Sequence, residues 1–319
     1  MASELRCGIV GPARSRNGLG PYLARFAEAA GLRVVAAAGR DSERTAAACA
    51  SLAAALGHAV APHATLAAML AVERLDALIV ATPALAHRAA LELALAHGCA
   101  VLCEKPLVAP QESAAIEPLL DGFLARGLAL VENCQWPFTL PAFRALWPGL
   151  APSARSFAMG LSPAERGPAM LEDSLSHFVS LAQAIVRIDA RSAVRVPTPA
   201  RIGAADSAAV LECEFVAEGS VLCGRLELSV VEHQPRPAWY AIDGHRVDRA
   251  IEMPGYRLAF ETGDGRRKGF EDPMRDLVYG FAALVRSPAL DRIRAESESI
   301  RHRARLYHAI LDACRRAAR

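Results

Sequence analysis

Lysine is nearly missing from this sequence. Of its 36 basic residues only two, Lys105 and Lys268, are lysines, and every other cation is an arginine. Arginine stays charged in any protein setting, whereas an ammonium can have its pKa brought down for proton transfer, so the retention of Lys105 points to chemistry in its segment, the alternative being a solvated lysine at a strand end. Long apolar runs are missing too. No stretch of about 18 uninterrupted apolar residues is present, which excludes a bilayer-spanning helix. The opening residues MASELRCGIVG enter a strand pattern with no apolar signal core. A soluble, cytoplasmic protein with no membrane partner is expected. The eight cysteines lie scattered in apolar surroundings, without a CxxC pair or histidine-rich companion spacing. They read as small buried side chains in a reducing compartment, so neither a metal site nor a disulfide framework is expected. An excess of one charge is also lacking: the net charge is +2, spread along the chain, with no basic stripe for nucleic acid. The arginine-rich tail, 292–319, interleaves Leu306, Ile310 and Leu311 at helical spacing and reads as the outer face of a terminal helix.

What is present begins with a βαβ unit. Arg6 to Val10 followed by Gly11 predicts a strand, Pro21 to Ala30 a helix ended by Gly31, and Leu32 to Ala38 a second strand. A glycine in the first turn of such a unit is the setting in which a helix N-terminus receives a dinucleotide pyrophosphate. The glycine pattern is irregular. A GxGxxG motif started at Gly11 meets Ala13 and Arg16 where glycines belong, while Gly18 and Gly20 come later. Either the loop GPARSRNGLG re-forms the cradle with its own N–H groups and Arg14 or Arg16, or the cradle is lost. At the tip of the second strand stand Gly39, Arg40 and Asp41. An acidic tip would bond the ribose 2′-hydroxyl and repel a 2′-phosphate, but Asp41 is better placed to cap the next helix, and Arg40 suits a phosphate dianion. NADP(H) is therefore favoured over NAD(H), the alternative being that Arg40 is an ordinary exposed loop residue.

Leu75 to Ala81 predicts a buried strand ending in Thr82 and Pro83, with His87 at the start of the following helix. A lone histidine there is usually a capping or packing residue, yet it leaves the same sheet edge as Lys105. The stretch AVLCEKPLV, 100–108, is an apolar run that stops at Glu104, Lys105 and Pro106. It reads as a buried parallel strand delivering polar groups at its C-terminal edge, where open α/β sheets bind ligands. A helix from Pro110 to Arg126 and a strand from Leu128 to Glu132 continue the alternation of a doubly wound parallel sheet.

The composition changes at Asn133 to Trp147, where aromatics and prolines suggest a crossing between domains, giving 1–133 and 134–319. Beyond it, Leu211, Cys213 and Phe215 alternate with glutamates, and turn signals at Glu218-Gly219, Asp243-Gly244 and Asp264-Gly265 divide a mostly antiparallel sheet. A helix predicted over Asp173 to Arg187 interrupts these strands. Asp173 and His177, four residues apart, project from one side of it, and a carboxylate beside an imidazole suits a proton donor or acceptor near neutral pH. A capping aspartate is the plainer account of Asp173.

Taken together, Gly11, the Thr82-Pro83 to His87 segment, Glu104-Lys105-Pro106, Asp173 and His177 resemble the family of glucose-fructose oxidoreductase, inositol dehydrogenase and MocA. The resemblance implies an N-terminal Rossmann domain followed by an α+β domain with a large open, mostly antiparallel sheet. It implies Lys105 beside the nicotinamide and the reacting carbon, a cis bond before Pro106, His177 as acid or base, and Asp173 as its partner or a substrate-hydroxyl contact. Gly11, Pro12, Ala13, Arg14, Arg40, Thr82, Pro83, His87, Glu104 and Lys105 would hold the cofactor; Gln135 and Trp136 would touch the substrate, with interface packing as the equal alternative for Trp136. Two departures stand out: the irregular glycine loop, and Ser180, where many relatives carry a further aspartate. The expected activity is hydride transfer between the nicotinamide and a hydroxyl-bearing carbon of a small polyol, sugar or cyclitol, in a homodimer or homotetramer built on the second sheet. The alternatives are a same-fold enzyme that retains its cofactor for a net lyase, epimerase or glycosidase reaction, and a non-catalytic sensor or assembly subunit.

Overall fold

The computed structural model describes residues 4–13, 19–150 and 153–318. Short apolar runs alternate with amphipathic helices through the first part of the chain: β1 (Leu5–Val10), α1 (Gly20–Ala29), β2 (Leu32–Ala38), α2 (Ser42–Leu56), β3 (Ala61–His63), α3 (Leu66–Val72), β4 (Ala77–Val80), α4 (His87–His97), β5 (Ala100–Cys103), α5 (Ile116–Ala125) and β6 (Leu130–Glu132). The runs ALIV and AVLC are buried at every position, as a parallel sheet covered on both faces requires. The six strands pair in parallel in the order β3-β2-β1-β4-β5-β6. Strand order reverses between β1 and β4, so a ligand crevice opens beyond their C-terminal ends. The edge strand β3, APH, has no apolar run to announce it.

The chain continues through α6 (Leu140–Leu146), β7 (Ser156–Leu161), α7 (Ala169–Ile185), β8 (Ala193–Thr198), β9 (Ala208–Ala217), β10 (Ser220–Ser229), β11 (Ala238–Ile242), β12 (His245–Glu252), β13 (Arg257–Glu261), β14 (Arg267–Phe270), α8 (Pro273–Arg286) and α9 (Leu290–Ala317). The second sheet runs β14-β13-β12-β11-β7-β10-β9-β8, antiparallel throughout except where β7 pairs with β10. Asp243 and Gly244 both take left-handed φ, 47° and 78°, at the two-residue reversal between β11 and β12. Its inner face is covered by α7, whose Phe178 ring lies 5.1 Å from Phe157 and 5.7 Å from Phe215. The outer face carries a ladder in which Arg225 pairs with Glu212 and Glu227, and Arg195 with Glu214. That face is wetted by charge, so exposure alone does not oblige it to take a partner.

The described residues form two compact units. The first takes in the chain as far as Asn133 together with Met274–Arg301; the second is Cys134–Pro273 and the chain from His302 onward. The sequence reading assigns 274–301 to the domain beginning at 134, whereas this segment packs with the first unit. The cause is the apolar face of α8. Met274, Leu277, Val278, Phe281 and Leu284 share one buried cluster with Ile9, Val34 and Ile79 of the parallel sheet. Arg286, at the end of α8, also donates to the carbonyl of Ala30 at the end of α1, at 2.6 Å. The second unit has its own core, including Phe157, Phe178, Phe215, Tyr240 and Ile310. Among the described residues no helix is long and apolar enough to cross a membrane.

Phe281→Ala should destabilise the protein by about 3–5 kcal/mol through the cavity it leaves. Hydrogen exchange should then quicken in β1, β2 and β4, with protection in β9 and β10 kept. Faster exchange in the second sheet instead would show that α8 supports the wrong unit.

Candidate active site

The turn after β1 is built from two glycines. Gly11 has φ +82°, and a Cβ there would lie 2.5 Å from the Ala81 carbonyl oxygen. Gly20 opens α1, and a Cβ there would lie 2.5 Å from the Gly11 carbonyl oxygen and 3.2 Å from the Cα of Pro12. Backbone therefore meets backbone with no room for a side chain, the close approach that a pyrophosphate turn uses. The N-terminus of α1 has no side-chain cap, which leaves its dipole end for an anion. Pro12 and Ala13 continue this turn; Arg14, Arg16 and Gly18 lie outside the described residues. Gly20 falls out of register with a motif counted from Gly11. Asking which glycine opens the helix would have found it. A cleft of about 500 Å³ along the groove between α1 and α2 is walled by Pro12, Ala13, Arg25 and Arg44.

At the tip of β2, Arg40 is exposed. Asp41 is turned into its own helix: it caps α2 by accepting from the Arg44 N–H at 3.0 Å, and its other oxygen is 3.4 Å from the Arg44 guanidinium. The carboxylate that would favour a free ribose 2′-hydroxyl is thereby occupied, and Arg40 is the charge left facing solvent at the strand end.

Around Lys105 the loops are tied by buried polar contacts. His87, at the start of α4, is fully buried, with Nδ1 2.9 Å from the Pro106 carbonyl oxygen and Nε2 2.7 Å from that of Thr82. A neutral ring donates to one of these oxygens at a time; an imidazolium donates to both. Burial pushes the His87 pKa below its ordinary 6.5, opposed by the two carbonyls and by Glu132. Both ring nitrogens are engaged, so His87 works as a strut between the loops after β4 and β5 rather than as a group facing the cofactor. Lys105 sits half-buried just past β5, and the Lys105–Pro106 peptide is cis. Glu104 accepts from the Asn133 side-chain amide, the Asn133 N–H donates to the Cys103 carbonyl at 2.7 Å, and the Leu107 N–H donates to Glu132 Oε1 at 2.9 Å. Glu132 and Asn133, both buried, are site residues that the sequence reading missed. Their signal is a polar pair ending an apolar strand. Thr82 Oγ1 is buried with no hydrogen-bond partner, and a ligand hydroxyl or amide would satisfy it; Pro83 follows it into the crevice.

The second unit holds the other group. α7 begins at Ala169, so Asp173 lies in its second turn and does not cap it. Asp173 and His177 are both half-buried, four residues apart, while Leu175 and Phe178 face the core. The Ser180 hydroxyl donates back to the His177 carbonyl at 2.9 Å, so it stays within the helix and offers no replacement for an aspartate. Gln135 precedes the short 3-10 turn Trp136–Thr139; Trp136 is 5% exposed and meets Tyr240 edge-on at 6.2 Å. The Cys134 thiol approaches the Ser176 carbonyl at 3.7 Å, which seats Gln135 and Trp136 beside α7. The structure thus assembles Gly11, Pro12, Ala13, Arg40, Thr82, Pro83, His87, Glu104 and Lys105 in the first unit, and Gln135, Trp136, Asp173 and His177 in the second. Burial pushes up the thiols of Cys7, Cys49, Cys99, Cys103, Cys213 and Cys314, Cys99 to about 11, so these remain protonated, whereas Cys223, expected to be buried, is exposed on β10. Among the described residues no cluster of His, Cys, Asp and Glu is arranged to hold a metal.

Residues 5–121 match the model of an oxidoreductase family with an NAD-binding Rossmann fold. Among solved structures, the chain is similar to KijD10, a 3-ketoreductase from Actinomadura kijaniata in complex with NADP. The two are 22% identical with a TM-score of 0.70, over 99% of this chain and 98% of that one. It is also similar to the UDP-N-acetylglucosamine 3-dehydrogenase GnnA from Acidithiobacillus ferrooxidans (16% identity, TM-score 0.62, 96% of this chain and 99% of that one). A third is an oxidoreductase from Agrobacterium radiobacter in complex with NAD+, L-tartaric acid and magnesium (16%, 0.62, 99% and 96%). At these identities the likeness establishes the fold. No curated protein matches the chain by sequence.

His87→Leu should leave one or both carbonyls without a donor and cost roughly 2–4 kcal/mol of stability. The folded pKa lies below 6.5, so the unfolded chain takes the proton first; His87 stability is full above pH 6.5 and is lost as pH falls through the folded value. Urea melts between about pH 5 and 8 should show this acid-side loss in the wild type and a shallower slope in His87→Leu. Parallel slopes would remove His87 as the titrating group.

Proposed function

We propose that the chain, whose residues 5–121 match the model of an oxidoreductase family with an NAD-binding Rossmann fold, is an NADP(H)-dependent dehydrogenase or reductase acting on a hydroxyl-bearing carbon of a small polyol, sugar or cyclitol-like molecule. The observation that carries the reading is the pinned Lys105 loop: one of two lysines in the chain, half-buried at a strand's C-terminal edge, with its neighbours fixed by His87, Glu132 and Asn133. When bound, the nicotinamide supplies the hydride acceptor or donor. The protein supplies position and proton control. Lys105 holds or releases the proton of the substrate hydroxyl oxygen, a role open to an ammonium and closed to arginine. His177 is the second proton-handling group; Asp173, one turn earlier on α7, orients its ring and raises its basicity. Gln135 and Trp136 contact the substrate.

Gly11, Pro12 and Ala13, with the start of α1 and with Arg14, which lies outside the described residues, take the pyrophosphate, while Thr82, Pro83 and Glu104 bind the nicotinamide half. Arg40 takes the 2′-phosphate, a preference supported by the engagement of Asp41 in the α2 cap. Solved proteins of this fold hold NADP in one case and NAD+ in another. A homodimer or homotetramer through the second sheet is part of the proposal, with the Arg–Glu ladder as the surface offered to a second copy.

Lys105→Ala should lower turnover by about 10²–10⁴-fold while nucleotide affinity stays within about tenfold. Unchanged turnover would take Lys105 out of the mechanism. Arg40→Ala should weaken NADPH binding by about tenfold and leave NADH binding unchanged in a fluorescence titration; equal losses for both would end the 2′-phosphate assignment.

A further inference from the structure

On the inner face of the second sheet a half-buried cation stands among apolar neighbours. Along β12, Val247 is fully buried, and Arg249, two residues on, points to the same face and pairs across the strands with Phe260, also fully buried. The Arg249 guanidinium lies 5.6 Å from the Trp136 ring centroid, and its Nη2 donates to the backbone oxygen of Arg236 at 2.9 Å. Its Nε is buried and has no acceptor, and the Nε of Arg236 is in the same condition. No ion pair joins either arginine to a carboxylate of the described residues, and Tyr256 and Asp272 act on Arg249 only through electrostatics. Burial pushes Arg249 below the ordinary arginine range.

A buried charge without a counter-ion is costly, several kcal/mol by general estimates, and chains keep such a charge where a ligand completes it. One further observation points to a ligand here, and a second sets the segment beside α7. Gln135 Oε1, next to Trp136, is buried without a donor, as an acceptor waiting for a hydroxyl would be. The same segment is seated on α7 through Cys134 and Ser176, the residue before His177.

We propose that Arg249 is the anion-binding residue of the substrate site and that the hydroxylated substrate carries an oxyanion, a carboxylate or a phosphate, which supplies the missing counter-charge against the Trp136 ring. This rests on the dehydrogenase reading above and narrows its substrate from polyols at large to acidic ones. The planar fork of arginine accepts either anion in bidentate geometry.

The test is calorimetric titration of the full chain, with and without saturating NADP+, using three probes: glucose, glucuronate and glucose 6-phosphate. At least one anionic probe should bind about tenfold or more tightly than glucose, and the tighter of the two identifies the source of the oxyanion. Arg249→Met should abolish that preference with NADP+ affinity unchanged. Arg249→Lys, which keeps the charge and loses the fork, should reduce it by about threefold or more and serves if the methionine variant does not fold. No anion preference in the wild type, including binding of none of the three probes, overturns the proposal, as does a preference that survives either substitution. Failure of the wild type to bind NADP+ would sink the preceding reading alone, because the anion preference is also measured without nucleotide.

Discussion

A lysine can manage a proton only if the backbone under it holds still, and in the proposed site that depends on a set of polar contacts between the loops around Lys105. One imidazole spans the carbonyls of Thr82 and Pro106, one carboxylate receives the Leu107 N–H, and one amide holds Glu104. The Leu107–Glu132 contact is buried and the others are partly so, and losing a buried one strands a donor or acceptor at roughly 1–3 kcal/mol. The loops after β4, β5 and β6 are thereby locked to one another. Positioning of the reactive end follows from burial and hydrogen-bond satisfaction, not from the intrinsic stiffness of the loop.

The cofactor side of the first unit obeys a shorter-range logic. Two glycines allow the turn after β1 and the first residue of α1 to touch through bare backbone. One residue further along the next turn, Asp41 commits its carboxylate to the start of α2, which leaves Arg40 as the free charge at that tip. Adjacent residues therefore differ in engagement, one capping a helix and the other exposed, and the proposed preference for a 2′-phosphate rests on that difference.

Much of this was legible in the sequence because it depends on neighbours. Strand ends at Gly11, Thr82 and Lys105, the cap at Asp41, and the Asp-Gly reversal at 243–244 are all set by a few consecutive residues. What the sequence hid depends on partners far along the chain. Asn133 meets Glu104 across 29 positions and Glu132 meets Leu107 across 25, and no local pattern marks either pairing. α8 follows the second sheet in sequence, yet its apolar stripe fits the core of the first unit, and periodicity reveals the stripe without revealing its target. Arg249 was hidden for a related reason: within HRVDRAIE it reads as one more surface arginine, and only the strand register turns it toward the core.

The most direct measurement is an equilibrium titration of the purified wild-type chain with NADPH and with NADH. Saturable one-site binding of NADPH at about micromolar Kd, tenfold or more tighter than NADH, is the predicted result. Absence of binding for both nucleotides at about millimolar concentration would contradict it, and the glycine turn and the pinned lysine would then need another purpose.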